Sequence, residues 1–502
     1  MASLSTFPVE INQLIALELS DKDVGNFKLI CQATRSAVGD YFYLLRFKAT
    51  YDEVNLRSSD LKSLYQSRRK YMKRAPNFSS GQGRNETRCL EAIKHIIRTT
   101  KPVKDENDVP NSLNLQVLDQ FLLNTNVLDV ICTLNPRAPA PAPQPQHNAL
   151  LASRRSANHG VPPQRVPITR LLTMIQLVLS SRSLRFLKEA PVMGFPESQK
   201  QAYMPAHLQG LFSDAALTRV NVKWCLHVVN FFRYHMMRRD EATLFQPYKD
   251  LDEGSDGLEL PQFWKKQLTN EHDPIPLGKH WKGTYAYLDR PDMPRIRNTP
   301  SGRDVFTDHN VDQGDKAIQS LNITFPEKHP FKWPMLFENH LKSITYRDYA
   351  PAPPSAPPTT RAQRGAPPPA PVTVPVGGDL RFEGKGYDEE DFYSAGWINP
   401  LPPQEGIPGW KRMTMMKYFL DDNGQFDLAA LWAYEGIVLP GAQIIVGRWW
   451  SADYDPAGNP MPPQNQYSGP FILWNTDCHF KKMENDRAAA DDMDVEGVFG
   501  GA

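Results

Sequence analysis

The residues best suited to a binding role lie near the C-terminal end of the sequence, where tryptophan and tyrosine recur with an arginine among them. These residue types supply large, rigid contact area at recognition sites. They fall in two segments, LWAYEGIVL and QIIVGRWW, that are typical of strands bounded by turns. The candidate binding residues in these segments are Trp432, Tyr434, Arg448, Trp449 and Trp450.

Trp449 and Trp450 are adjacent, so a regular strand directs their side chains to opposite faces. One of the two is therefore expected at the open surface or at the mouth of a barrel. Half of the side chains of a barrel strand point inward, so the alternative for each tryptophan is that it fills the core.

Patterns that would indicate catalysis or metal binding are weak in this sequence. It contains no phosphate-binding loop, no HExxH or GxSxG motif, and no Cys/His cluster with metal-ligand spacing. The pair Cys478-His479 has no further ligands near it in sequence, and the acidic run 388–391 is typical of a solvated loop. We therefore expect a chain that is not an enzyme and that uses no cofactor or metal.

Composition limits the class of partner. The 502 residues include 57 Lys and Arg against 56 Asp and Glu, so the balanced charge favours neither nucleic acid nor a membrane surface. The five cysteines are scattered singly, as expected for reduced thiols in the cytoplasm or nucleus. The N-terminus has no basic region or unbroken apolar run, so no signal peptide is predicted.

The segment 7–51 is predicted to be helical, because its apolar residues recur at spacings of three and four. Pro8 suits a first helical turn, and Ser20 with Asp23 suits an N-cap. Helices this short enclose too little volume to bury all of these apolar residues, so some are expected to face a partner. The alternative is that Phe7, Ile11 and Ile15 pack on the helices downstream.

The same segment resembles an F-box, the three-helix module that docks a substrate receptor onto Skp1 in a cullin-based ubiquitin ligase. The match runs from Phe7-Pro8 to Arg35. The resemblance implies a Skp1-binding surface formed by Phe7, Pro8, Ile11, Ile15, Leu19, Val24, Phe27, Ile30 and Cys31.

Further amphipathic helices are predicted after this module. They span Ser59–Arg74, Glu86–Arg98, Leu113–Leu134, Ile168–Leu187 and Asp214–Arg239, the last with Ser213 as N-cap. The basic residues at 68–74 are expected on a solvated helix end, with a nuclear localisation signal or a patch for an acidic partner as alternatives.

From Leu277 onward the pattern predicts strands, beginning with LGKHWKGTYAYLD and Ser320–Phe325. Five more strands are predicted at Leu380–Gly384, Trp410–Phe419, Leu431–Leu439, Gln443–Trp450 and Pro470–Trp474. Pro440-Gly441 suits a type II turn within a connection wider than two residues. An antiparallel sheet or barrel follows from this pattern.

Four tryptophan-containing segments resemble the C-terminal region of a large group of filamentous-fungal F-box proteins: LGKHWKGTYAYLD, GWINPLPPQEGIPGWKRMTMMKYF, LWAYEGIVLPGAQIIVGRWW and SGPFILW. More distantly, the arrangement resembles F-box receptors whose C-terminal β-barrel binds the substrate. The predicted fold class is α+β and multidomain. Its predicted order is an F-box at 1–51, a helical extension at 52–135, a Pro-rich linker at 136–166, a helical region at 167–276, the first part of a β domain at 277–350, a Pro-rich disordered insertion at 351–378, the second part of the β domain at 379–482 and an acidic disordered tail at 483–502.

These features and the resemblance lead to one expected function and one alternative. The expected function is that of a non-catalytic adaptor, which binds Skp1, and through it a cullin, at the N-terminus and an unidentified target protein at the β domain. The alternative is a β module that binds a small ligand or carbohydrate, with a degenerate F-box-like helical cap.

Overall fold

The computed structural model describes sixteen stretches of the chain, and they fall into two compact units. One unit is Met1–Val127 with Phe263–Lys265, and the other is Leu128–Gln262 with Lys266–Ala502. The predicted Pro-rich segments, the acidic tail and Cys478-His479 lie outside the described residues. The described residues are 4–73, 76–101, 103–104, 110–127, 167–186, 194–238, 244–253, 263, 268, 277–299, 304–311, 318–327, 332–343, 379–453, 461 and 466–477.

The described part of the first unit is helical except for one pair of very short antiparallel strands. The helices are α1 (Val9–Glu18), α2 (Asp21–Phe27), α3 (Gln32–Ala37), α4 (Asp40–Thr50), α5 (Ser58–Lys73), α6 (Arg84–Arg98) and α7 (Leu113–Leu123), and the strands are β1 (Val103–Lys104) and β2 (Pro110–Asn111).

The N-terminal helices begin and end at sites that the sequence partly predicts. The Ser20 side chain accepts a hydrogen bond from the Asp23 amide, which confirms the predicted N-cap of α2. Residues 9–50 hold four helices rather than the three implied by the resemblance, because Val38 leaves the helical region and Gly39 starts a new helix. α7 also ends at Leu123, so the predicted helix 113–134 is too long within the described residues.

The prediction that the basic residues at 68–74 lie on a solvated helix end is wrong for the first of them, Arg68 of α5. The buried side of α5 is formed by Leu61, Tyr65, Arg68 and Met72, which recur at helical spacing. The Arg68 guanidinium is fully buried, lies 4.7 Å from the Tyr51 ring centroid and donates to Thr99. The run 68–74 is therefore not simply a solvated helix end, since its first arginine belongs to the core.

A buried carboxylate ties α4 to α7. Asp52 accepts hydrogen bonds from the Ser112 hydroxyl at 2.6 Å and from the amides of Lys101, Leu113 and Asn114 at 2.7–3.3 Å. These contacts satisfy free amides at the N-terminus of α7, where a negative charge is also favourable.

The described residues of the second unit form six α-helices, one short 3-10 helix (Leu428–Ala430) and the strands of a barrel. The helices are α8 (Arg170–Phe186), α9 (Phe195–Tyr203), α10 (Val222–Met237), α11 (Phe245–Glu253), α12 (Asp292–Asn298) and α13 (Met335–Leu341). Helix α10 starts eight residues later than predicted, with Asn221 rather than Ser213 as N-cap. Asp214 instead closes a loop by accepting from the Thr218 and Arg219 amides, and Leu217 adopts φ 52°.

The barrel has eight antiparallel strands and is closed. Each strand pairs with its neighbours in sequence, and the last strand pairs with the first. The order is that of an up-and-down barrel, which leaves no unpaired edge. The strands are β3 (His280–Tyr285), β4 (Gln319–Thr324), β5 (Leu380–Tyr387), β6 (Asp391–Pro400), β7 (Lys411–Tyr418), β8 (Trp432–Val438), β9 (Ile444–Ser451) and β10 (Ser468–Asn475).

The interior of the barrel is filled mostly by apolar side chains from alternate strand positions, including Trp281, Phe382, Met413 and Phe471. Close strand packing depends on Gly283, where a Cβ atom would lie 2.1 Å from the Ile472 carbonyl oxygen. A second apolar cluster outside the barrel joins α13 to β7 and β8.

The connection between β8 and β9 has the predicted geometry. The Ala442 amide donates to the Leu439 carbonyl, and Gly441 at the third turn position has φ 94°. Proline fixes the preceding φ and glycine supplies the positive one, so the type II turn is confirmed. Five residues separate the strands, in agreement with the wider connection predicted.

Candidate functional site

One end of the barrel holds an aromatic pocket, which we call the mouth pocket. It has a volume of about 240 Å³ and lies where β3, β7 and β9 end and β8 and β10 begin. The residues that line it are Tyr285, Tyr287, Lys417, Trp432, Tyr434, Trp449 and Tyr467.

The rings of the mouth pocket meet at steep angles and so form its walls. The Trp449 centroid lies 5.5 Å from Trp432, 5.8 Å from Tyr285 and 5.5 Å from Tyr467, with interplanar angles of 74–77°. Edge-to-face pairs of this kind are favourable, because the positive ring edge meets the negative ring face. The walls therefore support one another.

Hydrogen bonds to the backbone hold two of these rings in place. Trp449 Nε1 donates to the Ala286 carbonyl at 3.1 Å, and the Tyr467 hydroxyl donates to the Leu288 carbonyl at 2.7 Å. Both acceptors lie just after β3. The pocket is thus preorganised, which lowers the entropic cost of binding.

An ion pair lies at the pocket. Lys417 Nζ is 2.9 Å from Asp388 Oδ2, and both side chains are more than nine-tenths buried. The Lys417 ammonium also lies 4.3 Å from the Phe392 ring centroid. Burial raises the pKa of Tyr285 strongly, and the negative charges of Asp388 and Glu389 raise it further. The aromatic surface therefore already accommodates a cation beside a carboxylate.

The structure brings three of the five predicted binding residues together. Trp432, Tyr434 and Trp449 line the mouth pocket, whereas Arg448 and Trp450 lie on the outer face of β9. Arg448 is buried against the second unit's helices, where it donates to the Met204 and Gln209 carbonyls and lies 4.8 Å from the Trp224 centroid. Arg448 is thus a packing residue in this structure, and the opposite orientation of the two adjacent tryptophans agrees with the prediction.

Sequence reasoning missed four lining residues: Tyr285, Tyr287, Lys417 and Tyr467. The two tyrosines of TYAY do follow a period of two at the end of a predicted strand, so their shared direction was available from the sequence. Lys417 carries no such signal, because a lysine inside a barrel is recognisable only when its carboxylate partner is known.

A second candidate surface lies on the first unit. Helix α1 buries Asn12 and Ala16, while Ile11 is 42% exposed and Leu14 is 60% exposed. Beyond α2, Leu29 is 75% exposed and Ile30 is 59% exposed. We call these four exposed residues the N-terminal apolar face.

The residues predicted for Skp1 binding divide between exposed or partly exposed positions and buried ones, and only Ile11 and Ile30 belong to the N-terminal apolar face. Val24 and Phe27 are buried within the chain. The others keep at least part of their surface exposed: Phe7, Pro8, Ile11, Ile15, Leu19, Ile30 and Cys31.

Comparisons with known protein families, curated proteins and solved structures find no match for this chain. Within the described ranges, no His, Cys, Asp or Glu side chains group in threes or more as a metal ion would require. None of the helices described is both long and apolar enough to cross a membrane. The described residues form a helical N-terminal part and a closed eight-stranded antiparallel barrel with an aromatic pocket at one end.

Proposed function

We propose that this protein is a non-catalytic substrate adaptor of a Skp1-cullin-F-box ubiquitin ligase. In this proposal the N-terminal helices bind Skp1 and the barrel binds the target protein, in the cytoplasm or the nucleus. The adaptor accelerates ubiquitin transfer by proximity, because it raises the effective concentration of a target lysine near the ubiquitin-conjugating enzyme.

The observation that supports the proposal most directly is the inverted burial of α1. A surface helix that binds no partner normally turns its large apolar residues toward the core. Helix α1 instead buries Asn12 and Ala16 and exposes Ile11 and Leu14. Asn12 is held inward by hydrogen bonds from Nδ2 to the Leu4 and Phe7 carbonyls at 3.1 and 3.3 Å. These bonds hold the segment 4–7 against α1, and the exposed apolar side chains of α1 are left for a partner, as in helix-recognition surfaces.

Capture of purified Skp1 by the full-length chain tests the proposal. The double variant Ile11→Asp, Leu14→Asp should lose capture while keeping its helical circular dichroism and melting temperature, because both residues are exposed. The control double variant Ser58→Asp, Ser59→Asp adds the same two charges at exposed positions of α5 and should bind Skp1 as the wild type does. Wild-type protein that fails to capture Skp1, under conditions where a known F-box protein succeeds, would contradict the adaptor function.

A second function is favoured by the mouth pocket alone. A closed barrel with an aromatic cavity is a common container for a small ligand or a sugar ring. In that case the N-terminal helices have a structural role only. Quenching of tryptophan fluorescence by a panel of sugars and small metabolites, abolished by Trp432→Leu, would support this function over the adaptor.

A further inference from the structure

The size of the mouth pocket restricts what it can enclose. Pockets for whole small molecules usually measure about 300–1,000 Å³. The mouth pocket measures about 240 Å³, so it suits one large side chain better than an entire small ligand. A protruding residue of a protein target meets this limit.

The loops around the mouth carry mainly negative charge. The β5–β6 turn supplies Asp388, Glu389 and Glu390, and the loop from β7 to β8 supplies Asp421, Asp422 and Asp427. In the described parts of the four connections at this end, 286–318, 388–390, 419–431 and 452–467, the arginines and lysines are Arg290, Arg295 and Arg297, and they are outnumbered by the aspartates and glutamates. Arg290 lies 5.7 Å from the Tyr467 centroid. A clefted surface of one sign attracts a ligand of the other sign.

The pocket wall itself is suited to a cation. Faces of tryptophan and tyrosine attract ammonium and guanidinium groups, because the ring face carries partial negative charge. Lys417, itself a lining residue, shows that the rings at this end of the barrel accommodate a positive charge, since its ammonium lies within 6 Å of the centroids of Tyr285 in the lining and of the neighbouring Phe392 and Phe419. Its charge is balanced by Asp388, so the pair leaves the pocket close to neutral.

We infer that the mouth pocket binds the lysine or arginine side chain of a basic segment in the target protein. This inference rests on the proposed function in one respect, which is that the ligand belongs to a protein. The aromatic walls contact the cation, and the carboxylates of the surrounding loops contact the neighbouring basic residues.

Fluorescence anisotropy with the full-length chain tests the inference. The probe is a short labelled peptide in which alanine alternates with lysine and arginine, and the same peptide with glutamate at the charged positions is the control. The basic peptide should bind and the acidic one should not. Trp432→Leu should weaken binding about tenfold, the loss of a good cation–π contact. Trp450→Leu removes the neighbouring strand's outward tryptophan and should leave the affinity unchanged.

The ion pair gives a test of the sign of the ligand charge. Lys417→Met frees Asp388 for the incoming cation and should tighten binding of the basic peptide about tenfold, whereas Asp388→Asn leaves Lys417 unpaired and should weaken it about tenfold. Either single variant leaves a buried charge uncompensated, so the double variant Lys417→Met, Asp388→Asn, which keeps the site neutral, checks that the fold tolerates the changes. Binding of the acidic peptide, lost in Lys417→Met, would overturn the inference.

Failure of the inference and failure of the adaptor function give different results. Protein that captures Skp1 but binds neither peptide overturns the cation site and leaves the adaptor in place. Protein that binds the basic peptide through Trp432 but never captures Skp1 supports the cation site and removes the adaptor.

Discussion

Acidification should destabilise the second unit through one buried histidine. His227 lies on α10, is 3% exposed, and its Nδ1 is 3.0 Å from the Ser198 hydroxyl. Burial, and secondarily the charge of Lys223, lower the pKa of His227 from 6.5 to about 3. The imidazole is therefore neutral in the folded protein across the whole physiological range.

The direction and size of the effect follow from proton linkage. The unfolded chain binds more protons than the folded one between pH 6.5 and about pH 3, so stability falls as the pH falls through this window. With those two pKa values, lowering the pH from 7 to 5 removes about 2 kcal/mol from the free energy of unfolding. A loss of this size is a large part of the stability of an ordinary domain.

Urea unfolding followed by tryptophan fluorescence measures this loss. Every tryptophan except Trp264 lies in the sequence ranges of the second unit, so the signal reports on that unit. His227→Asn keeps a polar atom near the Ser198 hydroxyl and should reduce the difference between pH 7 and pH 5 by about 2 kcal/mol. His207→Asn, at an exposed histidine, should leave the wild-type difference in place. An equal pH dependence in wild type and His227→Asn would refute the reasoning.

Three further substitutions test the packing that supports the two candidate sites. Asp52→Ala should cost about 3 kcal/mol of unfolding free energy, measured by urea unfolding of circular dichroism, because a hydroxyl and three amides lose their buried acceptor; a cost below about 1 kcal/mol would show that water replaces the carboxylate. Gly283→Ala should lower the melting temperature in calorimetry by several degrees, because its Cβ meets the Ile472 carbonyl oxygen, and an unchanged melting temperature would contradict the close strand approach. Arg448→Met should cost about 3 kcal/mol in the same urea experiment while leaving peptide binding intact, since Arg448 packs on Trp224 outside the barrel; lost binding with full stability would place Arg448 at the ligand.

The barrel was largely predictable, because seven of its eight strands coincide with segments predicted from alternation and turn residues. Strand β6 was not predicted. Its first residue closes an acidic run that resembles a solvated loop, and its later positions are buried on both faces, so no period of two marks it. Closure of the barrel could not be predicted from the sequence either, because it depends on the pairing of β10 with β3, which are far apart in the chain.

The helices show where spacing is informative and where residue type misleads. Arg68 occupies the same helical stripe as Leu61, Tyr65 and Met72, so its burial was present in the spacing and was obscured by its charge. The late start of α10 has a different cause. Asp214 caps a local loop as readily as it would begin a helix, and the left-handed backbone at Leu217 ends any helix there.

Three residues of the mouth pocket were predicted from the sequence, because side chains alternate between the two faces of a strand. Trp432, Tyr434 and Trp449 share a direction that alternation along the strands fixes. Arg448 has the composition of a binding residue, but its position one residue from Trp449 assigns it to the outer face, where helices cover it. Which outer surfaces are covered is a tertiary property that strand patterns do not carry.

The ring of eight strands has a consequence for how partners can be recruited. Every strand has a neighbour on each side, and the positions without a partner, such as residues 380–382 on the β4 side of β5, are few in a row. The wall therefore offers no continuous strand edge that could pair with an extended peptide. A bound protein segment is therefore recognised through its side chains, at the mouth of the barrel. Selectivity then depends on the shape and charge of the mouth of the barrel. The same closure also disfavours aggregation by edge-to-edge pairing of strands between copies of the protein.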